Sequence, residues 1–204
     1  MFDTHQKAIG EFARANPANM AKVYTFVIAT IQQSIETVPD MTKDMVLLGS
    51  ASPYAWGFKA DAMDFIRDNA DMVFHASMAI NANHANPQDA EHELLKFFAD
   101  LPGLGLAKGG FMVQLCYGLS GCLDSHNLAR FNISANDFKA SRFKKAKSPA
   151  LRSDIVQAYH IACHNAGGTR SLWDSWCEYV AGLRDDLTGY QVSALHCRAL
   201  GLPE

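Results

Sequence analysis

The stretch Leu101-Pro102-Gly103-Leu104-Gly105-Leu106-Ala107-Lys108-Gly109-Gly110-Phe111 lies between two segments of helical periodicity. Pro102 stops the first of them, since it has no amide hydrogen and its ring clashes with the preceding turn. Gly103 and Gly105 admit positive φ and close approach of the chain, and apolar residues resume at once. The stretch therefore predicts a tight hairpin between two helices. The backbone N–H groups of Gly103, Leu104 and Gly105, at a helix amino terminus carrying partial positive charge, suit a phosphate.

Outward from this hairpin the helical period dominates. Val23, Tyr24, Val27, Ile28, Ile31, Ile35 and Val38 recur every three or four positions, predicting one amphipathic helix from Met20 that Pro39 ends. A second helix is expected from about Trp56 to His75, with Asp61, Asp64, Asp68 and Asp71 on a solvated face. Asn86 as cap and Pro87 in the first turn open a third, which ends at Leu101-Pro102. Ser153 and Thr169 are read as caps of two later helices, separated by Gly167-Gly168, and Ser148-Pro149 as a stop. Alternation of period two is missing, so the expected class is all-α, a two-lobed helical bundle. The whole chain, 1–204, reads as one such unit, with its hairpin region at about 94–131.

At 204 residues, 49% apolar and 19% charged, the chain has the composition of a folded globular protein rather than a disordered or fibrous one. No apolar run is long enough for a membrane span and the first residues lack a signal-peptide pattern, so no membrane partner and an intracellular location are expected. Five cysteines at irregular spacing argue for free thiols. A monomer is expected.

The net charge of -3 is uneven, with -6 on residues 1–100 and +3 on 101–204. Lys139, Arg142, Lys144, Lys145, Lys147 and Arg152 follow one another without an acidic residue. Such a run is either a solvated helix face or a surface for phosphates.

The hairpin resembles that of the helix-hairpin-helix DNA glycosylase superfamily that includes endonuclease III, whose hairpin has the form Leu-Pro-Gly-apolar-Gly. Tyr117-Gly118 and then Leu123-Asp124-Ser125-His126 are similar to the family's aromatic-Gly and apolar-Asp-x-His segments. Trp56-Gly57-Phe58-Lys59-Ala60 resembles the segment preceding the hairpin, so the likeness spans roughly residues 56–130.

The resemblance implies a DNA partner and cleavage of the N-glycosidic bond of a damaged or modified base flipped out of the duplex. It makes Asp124 the catalytic carboxylate, with Lys108 the second catalytic candidate. It places Gly103, Leu104, Gly105, Lys108, Lys139, Arg142, Lys144 and Lys145 against DNA, and Tyr54, Trp56, Phe58 and His126 around the base. Lyase members carry a lysine two residues after the second hairpin glycine. Here that slot is Ala107, and Lys108 follows it, rotated by about 100°; a monofunctional glycosylase is expected. Some phage members of the fold are associated instead with modification of thymine in DNA, and a DNA-binding scaffold without chemistry is a third alternative. Four clustered cysteines are missing, so no iron–sulfur cluster, and no other cofactor, is expected.

Several residues have plainer readings. Asp124 can be a helix N-cap, alone or as well as a catalyst. His126 suits a structural histidine, and Trp173, Trp176 and Cys177 a packing stripe. His160 and His164, four apart beside Cys163, can present two zinc ligands on one helix face. Because no second ligand pair accompanies them, no metal is assigned.

Overall fold

A computed structural model describes residues 3–138, 140–183 and 186–203; Lys139 lies outside them. Among the described residues the chain forms eleven α-helices and no strand. They are α1 (Asp3–Ala13), α2 (Pro17–Ala29), α3 (Val38–Leu48), α4 (Phe58–Asn83), α5 (Pro87–Asp100), α6 (Gly105–Tyr117), α7 (Ser125–Arg130), α8 (Ala140–Lys145), α9 (Pro149–Asn165), α10 (Gly168–Gly182) and α11 (Gly189–Leu200). None is long and apolar enough to cross a membrane.

Helices α2 and α6 are central. Met20, Val23, Tyr24, Phe26, Val27 and Ile28 are all fully buried, so α2 is covered on every side rather than along one stripe. Its neighbours are α1, α3, α4, α6 and α11. Helix α6 packs on α5 so closely that a Cβ on Gly109 would lie 2.8 Å from the Ala99 nitrogen. The apolar core is one continuous cluster from α1 to α11, so the two expected lobes share it.

The expected hairpin is the connection between α5 and α6. Gly103 and Gly105 have φ of +79° and +65°, the left-handed region that explains glycine at both positions. The Tyr24 hydroxyl donates to the Pro102 carbonyl and fastens the turn to α2. Asn86 caps α5 by accepting from the Gln88 N–H.

Four expected boundaries are corrected, two of them for the same reason. Pro39 opens α3 instead of ending a helix, and Ser148-Pro149 opens α9 instead of stopping one. Proline in the first turn sacrifices no helical hydrogen bond and has the φ a helix needs. The long helix expected from Met20 consequently breaks at Thr30, leaving 30–37 as a connection in which Gln32 has φ +59°. Ser148 caps α9, whereas Ser153 contacts His92 at 3.0 Å. Gly167, at φ +92°, precedes α10 in the place expected of Thr169, whose hydroxyl donates to the Ser120 carbonyl.

Behind the central helices, His196 of α11 is wholly buried with its ring centroid 4.6 Å from that of Trp173 and 5.4 Å from that of Phe26. Its Nδ1–H donates to the Val192 carbonyl at 2.9 Å. Burial above all lowers its pKa from 6.5 to about 4, so it is neutral in the fold. The unfolded chain binds this proton first as pH falls, so the contribution is complete above 6.5 and is lost between 6.5 and about 4. The loss approaches about 3 kcal/mol at the acid end. Urea unfolding at pH 7 and pH 4.5 should show it, and His196→Phe should flatten that part of the profile.

Candidate active site

The loop that ends α6 is held from three directions. Gly118, at φ +68°, closes the helix. The Gln114 side chain accepts from the Cys122 N–H at 3.1 Å and donates to the Thr169 carbonyl at 2.9 Å. Tyr159 of α9 accepts from the Leu123 N–H and donates to the Gly121 carbonyl, both at 2.8 Å. Asn127 donates to the Cys122 carbonyl at 2.8 Å and accepts from the Ser175 hydroxyl at 3.1 Å. Asp124, the next residue, thus leaves a rigid support.

Asp124 is half-buried and caps α7, its Oδ1 accepting from the Asn127 N–H at 2.9 Å. That is one of two carboxylate oxygens, so capping leaves the other for a ligand. The side chain lines a cavity of about 410 Å³, a size usual for small-molecule sites.

Lys108 lines the same cavity. Its Nζ donates to the Thr30 hydroxyl at 3.1 Å and lies 5.3 Å from the centre of the Phe111 ring. The rotation from the Ala107 slot therefore does not take this amine out of the site. The two candidate catalytic residues, one on α6 and one at the start of α7, face one space.

The remaining wall divides by chemistry. Phe111, Trp173 and Trp176 supply flat aromatic surface, while Gln32, Gln33, Ser125 and Asn127 supply polar groups. The Trp173–Trp176 stripe thus both packs against His196 and forms wall. Thr30, Ile31, Gln32 and Gln33 reach the site because α2 ends early, and the buried Lys59 holds that connection by donating to the Ile31 carbonyl at 2.9 Å. Burial first, then the nearby Lys108 charge, lowers the Lys59 pKa. The sequence does not mark the segment 30–33 as part of a site, and Ile31 reads there as one apolar position of a helix; the signal for it is the polar pair Gln32-Gln33 interrupting an apolar period.

The residues expected around a base do not line this cavity. His126 stacks on Tyr179 of α10, ring centroids 3.6 Å apart and planes within 14°, and burial is the main cause of its lowered pKa. Tyr54 and Trp56 on the connection into α4, and Phe58 at its first position, are exposed. A Cβ on Gly103 would come within 3.7 Å of Phe58, so Phe58 flanks the hairpin instead.

Of the expected phosphate contacts, Gly103 is partly exposed, whereas Leu104 and Gly105 are buried and the Leu104 N–H bonds the Leu101 carbonyl at 3.3 Å. Lys144 and Lys145 are exposed on α8, which the fully buried Phe143 anchors. Arg142 pairs with Asp137 at 3.2 Å. Arg152 pairs with Asp100, the residue before the hairpin, and so joins the basic segment to it. All five cysteines are buried, and burial pushes the Cys116 and Cys122 thiols up to about 12 and raises Cys163 and Cys177 too. Cys177 is thereby a poor nucleophile.

No family profile, curated protein or solved structure matches the chain.

Proposed function

We propose that the chain binds DNA and cleaves the N-glycosidic bond of a damaged or modified base turned out of the helix into the cavity. The observation that carries this reading is the joint placement of Asp124 and Lys108 in one cavity with an aromatic wall. Departure of a base leaves positive charge on the sugar and negative charge on the base. A carboxylate beside the sugar stabilises the first and can activate water, and an ammonium beside the base stabilises the second. Trp173 and Trp176 give a base a stacking surface, and the amides of Gln32, Gln33 and Asn127 can read its edge. The partly exposed Gly103 of the hairpin and the exposed Lys144 and Lys145 hold the flanking phosphates.

The position of Lys108 favours one alternative on the same fold, a transferase that modifies the base. A fixed cation also suits a reaction in which an anionic group leaves an activated base. The two differ in product, a free base and an abasic site against DNA of increased mass.

Lys108→Met tests the shared cavity. It keeps an unbranched apolar side chain and removes the charge that lies 5.3 Å from the Phe111 ring centre. DNA binding measured by fluorescence anisotropy should change little, while single-turnover base release should fall about 100-fold. Unchanged release would remove Lys108 from the mechanism. Salt-sensitive binding with no product from any substrate would leave only a DNA-binding scaffold.

A further inference from the structure

We propose that Glu91, His160 and His164 form a binding site for a divalent transition metal of the zinc class, joining α5 to α9. One carboxylate oxygen and one nitrogen from each imidazole lie within 4.8 Å of one another. The His160 Nδ1 is 2.9 Å from Glu91 Oε1, and the His164 Nε2 is 3.8 Å from Glu91 Oε2. Ligands on a tetrahedral zinc stand about 3.3 Å apart, so small rotamer adjustments would bring all three to bonding distance. The spacing of His160 and His164, one helical turn, puts both rings on one face of α9, with centroids 4.5 Å apart.

A second observation points to a ligand. Glu91 is 4% exposed and His160 7%, and neither Glu91 Oε1 nor the His160 Nδ1 makes a hydrogen bond despite their close approach. Buried polar atoms are rarely left without a partner, and here two of them converge without the alignment of an N–H···O bond. A cation between them satisfies both. Two imidazoles and a carboxylate are a donor set for zinc and its neighbours rather than for magnesium or calcium. His164 is half-exposed, which gives an ion a route in and leaves a fourth position for water.

The site is separate from the cavity but mechanically connected to it. His160 follows Tyr159, whose hydroxyl holds Gly121 and Leu123, and Glu91 belongs to the helix that leads into the hairpin. An ion here fastens the supports of Asp124.

The test is zinc titration of chelator-stripped full-length protein against a chromophoric competitor at pH 7.5, with elemental analysis of the dialysed complex. One zinc per chain and a zinc-dependent rise in Tm are expected. His164→Ala, which removes an exposed ring and whose folding is to be checked by circular dichroism, and Glu91→Gln should each weaken binding at least tenfold and abolish the rise in Tm. His75→Ala, an exposed histidine elsewhere, should leave both unchanged. Substoichiometric zinc, or undiminished affinity in His164→Ala, would overturn the site and leave an imidazole–carboxylate contact alone.

Discussion

Asp124→Asn should slow base release by about 100- to 10,000-fold while leaving the fold and DNA binding almost unaltered. The substitution separates the two roles of this side chain. Asparagine is as good an N-cap as aspartate, and its carbonyl oxygen can go on accepting from the Asn127 N–H. What it removes is the negative charge that stabilises a cationic sugar. Asp124→Ala removes both, and should add a stability loss of about 1 kcal/mol to the same catalytic defect. Thermal unfolding and single-turnover kinetics of the two variants side by side distinguish a catalytic carboxylate from a helix cap. Equal activity of Asp124→Asn and wild type would mean that Asp124 only caps α7.

Gly110→Ala should be the most damaging single methyl group in the molecule. In an ordinary helix interior this exchange stabilises, by up to about 1 kcal/mol, because alanine loses less backbone entropy. Here the added Cβ would meet the Gly121 carbonyl oxygen and come within 2.7 Å of the Tyr159 hydroxyl. Neither is the end of a flexible side chain, and the two are hydrogen-bonded to each other at 2.8 Å. Relief requires α6 and the loop to separate. A destabilisation of about 3 kcal/mol follows, and for a chain of this size a fall in Tm of about 6 to 12 °C. Activity should fall further than stability explains, since the same displacement moves Asp124. Gly182→Ala, where the new methyl group meets nothing within 4 Å, is the neutral comparison.

The parts of the fold legible in sequence were those governed by local chemistry. Pro102, Gly103 and Gly105 dictate their turn, Asn86-Pro87 their helix start, and Asp124 its cap, each through one or two residues. At Pro39 and Pro149 the sequence alone is ambiguous, because proline both ends and begins helices and packing around it decides which. For the same reason the site was half legible. Asp124 stands out through the resemblance of Leu123-Asp124-Ser125-His126 to an apolar-Asp-x-His segment, and Lys108 only as a lysine one residue beyond the slot that resemblance gives to Ala107, but the wall from Thr30 to Gln33 exists only because α2 stops short and Lys59, distant in sequence, holds the freed carbonyl of Ile31. Aromatic residues near the motif, Tyr54, Trp56 and Phe58, were obvious candidates for a base pocket; Trp173 and Trp176, far along the chain, line the cavity. The Glu91–His160–His164 cluster was incomplete in sequence because its carboxylate comes from another helix.

The most direct measurement is mass spectrometry of the products formed when the protein is incubated with duplex and single-stranded oligonucleotides carrying a panel of damaged and modified bases. Release of a free base and an abasic strand from at least one of them, dependent on Asp124, is the expected result. Intact DNA throughout, or DNA of increased mass with no free base, would contradict it.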